Sequence, residues 1–143
     1  MSPSGIKSGT TIGDCRGENN FFHATPYELR VSHAAQIEMR ARHTQVILVS
    51  DYQKGVITRR SMEHILGFAR SSGLPVIVDP KVPHIDYYSG AALITPNHVE
   101  AESATNMRIS SHEDARRAAA ALRSRTSAEN VLITRGEHGM WLD

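Results

Sequence analysis

The sequence has few of the features that mark several large classes of protein. Its 143 residues include a single cysteine, Cys15, so no disulfide can form within the chain, and a reducing compartment is expected. No apolar run approaches the ~20 residues needed to cross a bilayer, and no basic-then-apolar leader opens the sequence. We therefore expect a cytoplasmic protein with no membrane partner.

The sequence also lacks a strong net charge and the histidine spacing that is typical of metal sites. Lysine and arginine number 16 against 15 acidic residues, a formal net charge of +1, which gives no electrostatic reason to expect nucleic acid as a partner. Eight histidines occur, but none forms a His-x-x-x-His pair, so a built-in zinc site is not expected. With 40% hydrophobic and 22% charged residues, the chain has the composition of one ordinary globular domain.

Four short apolar runs, each followed by polar residues, are the strongest positive signal. They occupy residues 46–49, 76–78, 92–94 and 131–133. β-Branched runs bounded by turn residues are typical of buried strands, and helix-compatible stretches between them favour a parallel sheet. We therefore predict an α/β fold: an open, mostly parallel sheet with flanking helices on both faces, incomplete at both ends.

Capping residues predict where the helices between these strands begin. Thr58 is placed to cap a helix that ends at Gly73, Asn97 starts a second, and Ser110 or Ser111 caps a third. A glycine-containing turn should follow the fourth strand and lead into a returning strand at residues 140–142.

The first 43 residues show a weaker pattern. Residues 1–26 are rich in Gly, Ser, Thr and Asn and are predicted to be loop or disordered. Residues 27–43 are compatible with an amphipathic helix, with Ile37 and Met39 on its apolar face. We therefore set a boundary between a partly disordered segment, residues 1–43, and a domain at residues 44–143.

Chemically useful side chains cluster after the predicted strands. The carboxyl ends of parallel strands meet at one edge of the sheet, where ligands of open α/β folds bind. The residues expected there are Asp51, Asp79, Lys81, Asn97, Glu100 and Thr134.

Each of these segments has a structural interpretation beside the functional one. Asn97 and Glu100 could orient hydrated Mg²⁺ and phosphates, or could form a helix capping box. Residues 134–139 could hold phosphate on backbone N–H groups, or could be a plain hairpin turn. Asp51 and Lys54 could bind a sugar or its phosphate, or lie in a solvated loop. Residues 79–81 could orient substrate, or form a surface ion pair of little energetic worth.

Taken together and in this order, the segments resemble the ribokinase-like (PfkB) carbohydrate kinase family. Within it they most resemble the D-glycero-β-D-manno-heptose-7-phosphate kinase branch. That branch carries Ser-Asp-Tyr-Gly-Lys-Gly, Val-Asp-Pro-Lys, Thr-Pro-Asn-x-x-Glu and Thr-Arg-Gly-Glu-x-Gly-Met, matched here by residues 50–55, 78–81, 95–100 and 134–140. The resemblance implies a ribokinase-like fold. Complete relatives transfer the γ-phosphoryl group of ATP to C1 of D-glycero-D-manno-heptose 7-phosphate, a step towards ADP-heptose and the lipopolysaccharide core.

The resemblance also implies roles for individual residues. Glu100 would hold Mg²⁺ through water, and ATP and a phosphosugar would be the partners, with a homodimer as an option for the complete protein. The residues implied on the phosphosugar side are Asp51, Lys54, Asp79 and Lys81. Those implied on the nucleotide side are Asn97, His98, Val99, Glu100, Thr134, Arg135, Gly136 and Glu137.

Several departures from the family pattern leave other hypotheses open. Gln53 and Val82 stand where the branch has glycine, which puts side chains into two turns. The family's catalytic aspartate, in a Gly-Ala-Gly-Asp segment, is expected beyond Asp143, so no catalytic residue is assigned and this chain alone is expected to be inactive. The alternative is a catalytically dead remnant or nucleotide-binding module. A third hypothesis is a response-regulator-like domain in which Asp51 accepts a phosphoryl group.

Overall fold

The computed structural model describes residues 35–41 and 43–143. The predicted loop at residues 1–26, and residues 27–34 and 42 of the predicted first helix, lie outside these ranges. Helix α1 covers residues 35–41. The following elements are β1 (Ile47–Ser50), α2 (Arg59–Ser72), β2 (Val76–Asp79), the 3₁₀ helix η1 (Val82–Tyr88), β3 (Leu93–Ile94), α3 (His98–Thr105), α4 (His112–Thr126), β4 (Asn130–Thr134), the 3₁₀ helix η2 (Gly136–His138) and β5 (Met140–Leu142).

The strands form one sheet in the order β1-β2-β3-β4-β5. The first four run parallel, with Val49 opposite Val78 and Ile94 opposite Val131, and β5 returns antiparallel to β4. The predicted open, mostly parallel sheet with flanking helices and a returning last strand is therefore confirmed.

The described helices cover one face of this sheet. Val49, Val78 and Val131 are buried in the core, whereas Leu48 and Leu142 keep 70% and 62% of their surface exposed. Successive side chains of a strand point to opposite faces, so the exposed leucines mark the uncovered face. The prediction of helices on both faces is wrong for this part of the chain, because right-handed crossovers between sequentially ordered strands place every connection on the same side.

The helix starts follow the predicted caps. Thr58, Asn97 and Ser111 each accept the backbone N–H of the third helical residue, and each forms a reciprocal capping box. Gly73 ends α2 in the left-handed conformation, with φ of 65°. In α1, however, Met39 is 67% exposed, so it does not belong to the predicted apolar face. No described helix is long and apolar enough to span a membrane.

Candidate functional site

The structure brings the four motif segments together at the carboxyl edge of the sheet, where the Asp51 N–H donates to the Asp79 carbonyl at 3.1 Å. The Thr134 N–H donates to the Pro96 carbonyl at 3.0 Å, and Asn97 and Thr134 form a parallel β-bridge. The Lys81 ammonium contacts a Glu100 carboxylate oxygen. The segments after β1, β2, β3 and β4 therefore form one continuous edge, as the parallel sheet predicted.

Asn97 and Glu100 form the capping box that the structural interpretation predicted. The Glu100 N–H donates to Asn97 Oδ1 at 2.9 Å, and the Asn97 N–H donates to Glu100 Oε2 at 3.0 Å. The other carboxylate oxygen, Oε1, contacts Lys81. The hydrogen bond to Glu100 is the largest influence on Lys81 and raises the pKa of its ammonium group. The box thus holds a charged carboxylate at the first turn of α3, directed towards Lys81.

The side chains at this edge suit a hydrated magnesium ion better than a protein-only cage. Within residues 35–41 and 43–143, no group of three or more His, Cys, Asp or Glu side chains could hold a metal. Mg²⁺ usually keeps several waters and takes one or two carboxylates together with substrate phosphates. Both oxygens of the Glu100 carboxylate are engaged, Oε2 by the Asn97 N–H and Oε1 by Lys81, so the Mg²⁺ expected at Glu100 through water stays a prediction.

The Asp51 carboxylate is turned into the protein rather than towards solvent. It is 1% exposed and accepts the Gln53 N–H at 2.7 Å and the Tyr88 hydroxyl at 2.6 Å. The His84 ring nitrogen Nδ1 lies 2.6 Å from Oδ2, the same oxygen that Tyr88 contacts. The lone pairs of Asp51 are therefore used inside the chain, where they hold the β1 loop against η1.

Burial and side-chain hydrogen bonding shift the pKa of Asp51 in opposite directions and the pKa of Tyr88 in the same direction. Burial raises the pKa of Asp51, but the hydrogen bonds from Tyr88, the Gln53 N–H and His84 outweigh it, so the pKa lies below the ordinary value of 3.8. Burial, followed by the hydrogen bond to Asp51, raises the pKa of the Tyr88 phenol. At neutral pH the carboxylate is thus ionised and the phenol is a neutral donor.

The loop after β1 shows the local cost of a departure from the family pattern. Gln53 has φ of 56°, in the left-handed region, and Gly55 has φ of 83°. A side chain at such a φ costs roughly 1–2 kcal/mol, whereas glycine adopts it freely. Val82 is not among the residues with positive φ and starts η1, so its side chain is accommodated without backbone strain. Lys54, between the two left-handed residues, is exposed.

The segment after β4 has the geometry of the predicted hairpin turn. The Arg135 N–H donates to the Gly139 carbonyl at 2.8 Å, and the Gly139 N–H donates to the Gly136 carbonyl at 3.1 Å. Gly136 has φ of 56°, which explains a glycine at that position. The Arg135 side chain is buried, at 8% exposure, and its Nη1 lies 3.3 Å from His112 Nδ1. Glu137 remains exposed.

An open groove of about 830 Å³ lies between α3 and this turn. It contains three of the eight residues implied on the nucleotide side, namely His98, Val99 and Arg135. Arg135 has no carboxylate partner among the described residues, and the groove has a single acidic side chain, Glu102. The other residues that line the groove are Ser103, Asn106, Met107, Arg108, Ile109, Ser110 and His138.

Several residues of this edge were not found from the sequence. The sequence predicts a loop or one helical turn at residues 82–90, where the structure has η1. No spacing rule connects Tyr88 and His84 with Asp51, which lies 37 and 33 positions earlier. Arg108 lies between α3 and α4, in a connection whose path depends on packing. The Tyr87-Tyr88 pair next to a predicted strand was the one available signal, since a buried phenol needs a hydrogen-bond partner.

Comparison with known proteins agrees with this architecture. The family model described as "pfkB family carbohydrate kinase" matches residues 7–142. The match therefore begins before the domain boundary predicted at residue 44.

Among solved structures, phosphofructokinase-2 from Escherichia coli in complex with fructose-6-phosphate aligns over 78% of this chain and 39% of its own, with a TM-score of 0.62 and 20% identity. Arabidopsis thaliana ribokinase complexed with ribose and ATP aligns over 75% and 34%, with a TM-score of 0.59 and 19% identity. These likenesses confirm the ribokinase-like fold.

Curated relatives are closer in sequence. The bifunctional protein HldE of Pelobacter propionicus is 44% identical over 123 residues, covering 80% of this chain and 25% of the relative. HldE of Geotalea uraniireducens is 45% identical over 106 residues, covering 74% and 22%. The chain thus spans about a quarter of the length of the curated relatives it matches. On the strength of the family match over residues 7–142, the chain belongs to the pfkB family of carbohydrate kinases.

Proposed function

We propose that this chain is part of an ATP-dependent sugar kinase that phosphorylates D-glycero-D-manno-heptose 7-phosphate at C1. The observation that carries the proposal is the meeting of Lys81, Asn97, Glu100 and Thr134 at one edge of a parallel sheet. These residues come from three separate motifs, and relatives at 44–45% identity are named HldE. The product would feed ADP-heptose and lipopolysaccharide core synthesis in the cytoplasm.

The reaction requires the sugar hydroxyl oxygen to bond to the γ-phosphorus of ATP while the bond to the bridging oxygen breaks. ADP leaves with that electron pair, and the hydroxyl proton passes to a base. Catalysis of such a step is mostly positioning and charge stabilisation. Lys81 and Arg135 supply positive charge beside the proposed phosphates, and Thr134 supplies a hydroxyl. Mg²⁺, when bound beside Glu100, would neutralise phosphate charge.

The nucleotide is proposed to lie between Asn97 and the Thr134 turn, with Arg135 beside it. A buried guanidinium with no carboxylate partner in the described part of the chain suits an anionic ligand. Glu137 and Gly136, which are exposed at the turn, would contact it from the open side. The phosphosugar is proposed on the other side, near Lys54, Asp79 and Lys81, with a homodimer as a feature of the complete protein.

A nucleotide-binding module without catalysis is the second candidate. Gln53 adopts the left-handed conformation, which glycine favours, in the turn that is proposed on the phosphosugar side. No Gly-Ala-Gly-Asp segment occurs in the 143 residues. Under this proposal the chain binds Mg·ATP but transfers no phosphoryl group.

Calorimetric titration with Mg·ATP, followed by a coupled ADP-release assay with heptose 7-phosphate, tests both candidates. We expect Mg·ATP to bind. The Arg135→Gln substitution should lower the affinity for Mg·ATP by about tenfold, the value of one charge-assisted hydrogen bond. Arg116→Gln, which alters an exposed pair with Glu113, is the matched control and should not change affinity. Sugar-dependent ADP release by the complete protein that contains this chain supports the kinase, and Mg·ATP binding without release in that protein supports the module. Absence of Mg·ATP binding would overturn both.

A further inference from the structure

The Tyr88 hydroxyl joins the segments that follow two neighbouring strands. The Tyr88 side chain is fully buried, and its hydroxyl donates to Asp51 Oδ2, just after β1, at 2.6 Å. The same hydroxyl oxygen accepts the Lys81 N–H, just after β2, at 3.2 Å. A phenol hydroxyl has one donor and can also accept. Both capacities are therefore used between the ends of β1 and β2.

Lys81 lies in a short connection that gives its backbone little regular support. The connection between β2 and η1 consists of Pro80 and Lys81. Proline has no N–H to donate, and Lys81 is the N-cap of η1 with an extended backbone and no side-chain cap bond. Its carbonyl accepts the His84 N–H at 2.9 Å, and its N–H is accepted by Tyr88. Both contacts come from η1, so η1 fixes the backbone of this lysine.

The side-chain end of Lys81 is held by a different element. Its ammonium group contacts the Glu100 carboxylate in the first turn of α3. A lysine carries its charge on a flexible four-carbon stem, so the carboxylate can direct that charge only if the backbone is also fixed. Tyr88 therefore acts on the residue whose charge is proposed to lie beside the phosphates.

The contact with Lys81 goes beyond what the phenol itself requires. A buried phenol needs a hydrogen-bond partner, and the Asp51 carboxylate meets that need. The second contact satisfies the lysine rather than the tyrosine, because it gives the Lys81 N–H an acceptor.

We propose that Tyr88 is a positioning residue for Lys81, whose N–H it accepts so that the ammonium group is held at the proposed phosphate site. The inference rests on the proposed function, in which Lys81 supplies positive charge beside the phosphates. Tyr88 acts through Lys81 and contacts no ligand itself.

Three variants separate this role from a general effect on folding. Tyr88→Phe removes the hydroxyl and keeps the ring. Tyr87→Phe is the matched control, because the Tyr87 hydroxyl makes no hydrogen bond within residues 35–41 and 43–143. Lys81→Met keeps the N–H but removes the ammonium group. In the Lys81→Met background, Tyr88→Phe still breaks the contact with the backbone, but there is no charge left to displace.

The experiment is calorimetric titration of the intact chain and these variants with Mg·ATP, together with urea unfolding. We expect Tyr88→Phe to bind Mg·ATP about fivefold more weakly than the unmodified chain, which is within the range of coupling between residues in contact. In the Lys81→Met background, the same substitution should leave the affinity unchanged, although it lowers stability equally in both backgrounds. Tyr87→Phe should bind Mg·ATP as tightly as the unmodified chain.

Amide hydrogen exchange at Lys81, followed by NMR, tests the contact without any variant. The Lys81 N–H should be protected at least about tenfold relative to an unstructured chain, as expected of a hydrogen-bonded amide. An unprotected Lys81 N–H would overturn the proposal, including in the case that Tyr88→Phe does not fold.

The binding outcomes distinguish this inference from the proposed function. If Mg·ATP binds equally well to Tyr88→Phe and to the unmodified chain, the Tyr88 assignment is overturned and the kinase proposal stands. If Tyr88→Phe lowers the affinity equally with and without the Lys81 ammonium group, its effect does not pass through Lys81, and the assignment is again overturned. If the unmodified chain does not bind Mg·ATP, the proposed function fails and the inference fails with it.

Discussion

Lys81 and Glu100 form an ion pair across the ends of β2 and β3, although 19 positions separate them in the sequence. Sequence motifs assigned Lys81 to the phosphosugar and Glu100 to Mg²⁺ and the nucleotide. The Lys81–Glu100 pair therefore belongs to both proposed subsites, one for the phosphosugar and one for the nucleotide. A change on either side should therefore affect both ligands.

Lys81→Met tests this coupling. Because the pair is partly exposed, with 34% and 13% of the two side chains accessible, its loss should change the free energy of unfolding by less than about 1 kcal/mol. Affinity for Mg·ATP should nevertheless fall by about tenfold, because a cation beside the phosphates is removed. A double-mutant cycle with Glu100→Gln, measured by calorimetry, should show non-additive losses. Strictly additive losses would show that the pair does not couple the subsites.

Gln53→Gly should stabilise the protein. The left-handed φ of 56° at this position costs a side chain roughly 1–2 kcal/mol, and glycine removes that cost at a smaller entropic penalty. We expect a net gain of about 0.5–1 kcal/mol in urea unfolding. Gln53→Ala is the control, since it keeps the β-carbon and should give no such gain. Equal stability of the glycine and alanine variants would refute the strain argument.

Asp51→Asn should make the protein less stable at neutral pH and less sensitive to acid. The pKa of Asp51 lies below 3.8 in the folded state, so the carboxylate adds stability above that pH and loses it as pH falls through the folded pKa. At pH 7 the variant should lose about 2 kcal/mol, the value of hydrogen bonds to a charged group.

The pH dependence of Asp51→Asn provides a control for this prediction. The difference in free energy of unfolding between the two proteins should shrink below about pH 4. Urea titrations at pH 3, 5 and 7 would measure it. A difference that is constant over this range would mean that the network does not depend on the charge of Asp51.

Asn97→Ala and Ser111→Ala form a matched pair of cap deletions. Each removes an N-cap that accepts the N–H of the third helical residue, so each should cost about 1 kcal/mol in stability. Only Asn97 lies beside Glu100 and Thr134. Only the Asn97→Ala substitution should therefore lower the affinity for Mg·ATP, by at least about tenfold. Equal affinities of the two variants would remove Asn97 from the nucleotide site.

The Thr58, Asn97 and Ser111 caps were predictable because a short polar residue before an apolar period is a local signal. The four strands were likewise marked by β-branched runs between turn residues. The helical stretches between the strands then predicted parallel pairing, so the shared carboxyl edge of the sheet was predictable from the sequence.

The coverage of the sheet by helices and the burial of Asp51 depend on distant parts of the chain. The coverage of one sheet face was misjudged because crossover handedness and strand order, rather than composition, decide the side on which each helix packs. The burial of Asp51 was not expected, because a charged residue after a strand usually faces water.

The sequence alone determined the strands, the helix starts, the family resemblance and the set of polar residues at one sheet edge, since each depends on neighbouring residues or on their order. Only the tertiary structure decided that Asp51 binds His84 and Tyr88 and that Lys81 pairs with Glu100. Both arrangements join residues 19 to 37 positions apart, and such contacts form only when packing brings strand ends and η1 together. The physical reason is that side-chain hydrogen bonds act over about 3 Å, a distance that sequence separation does not fix.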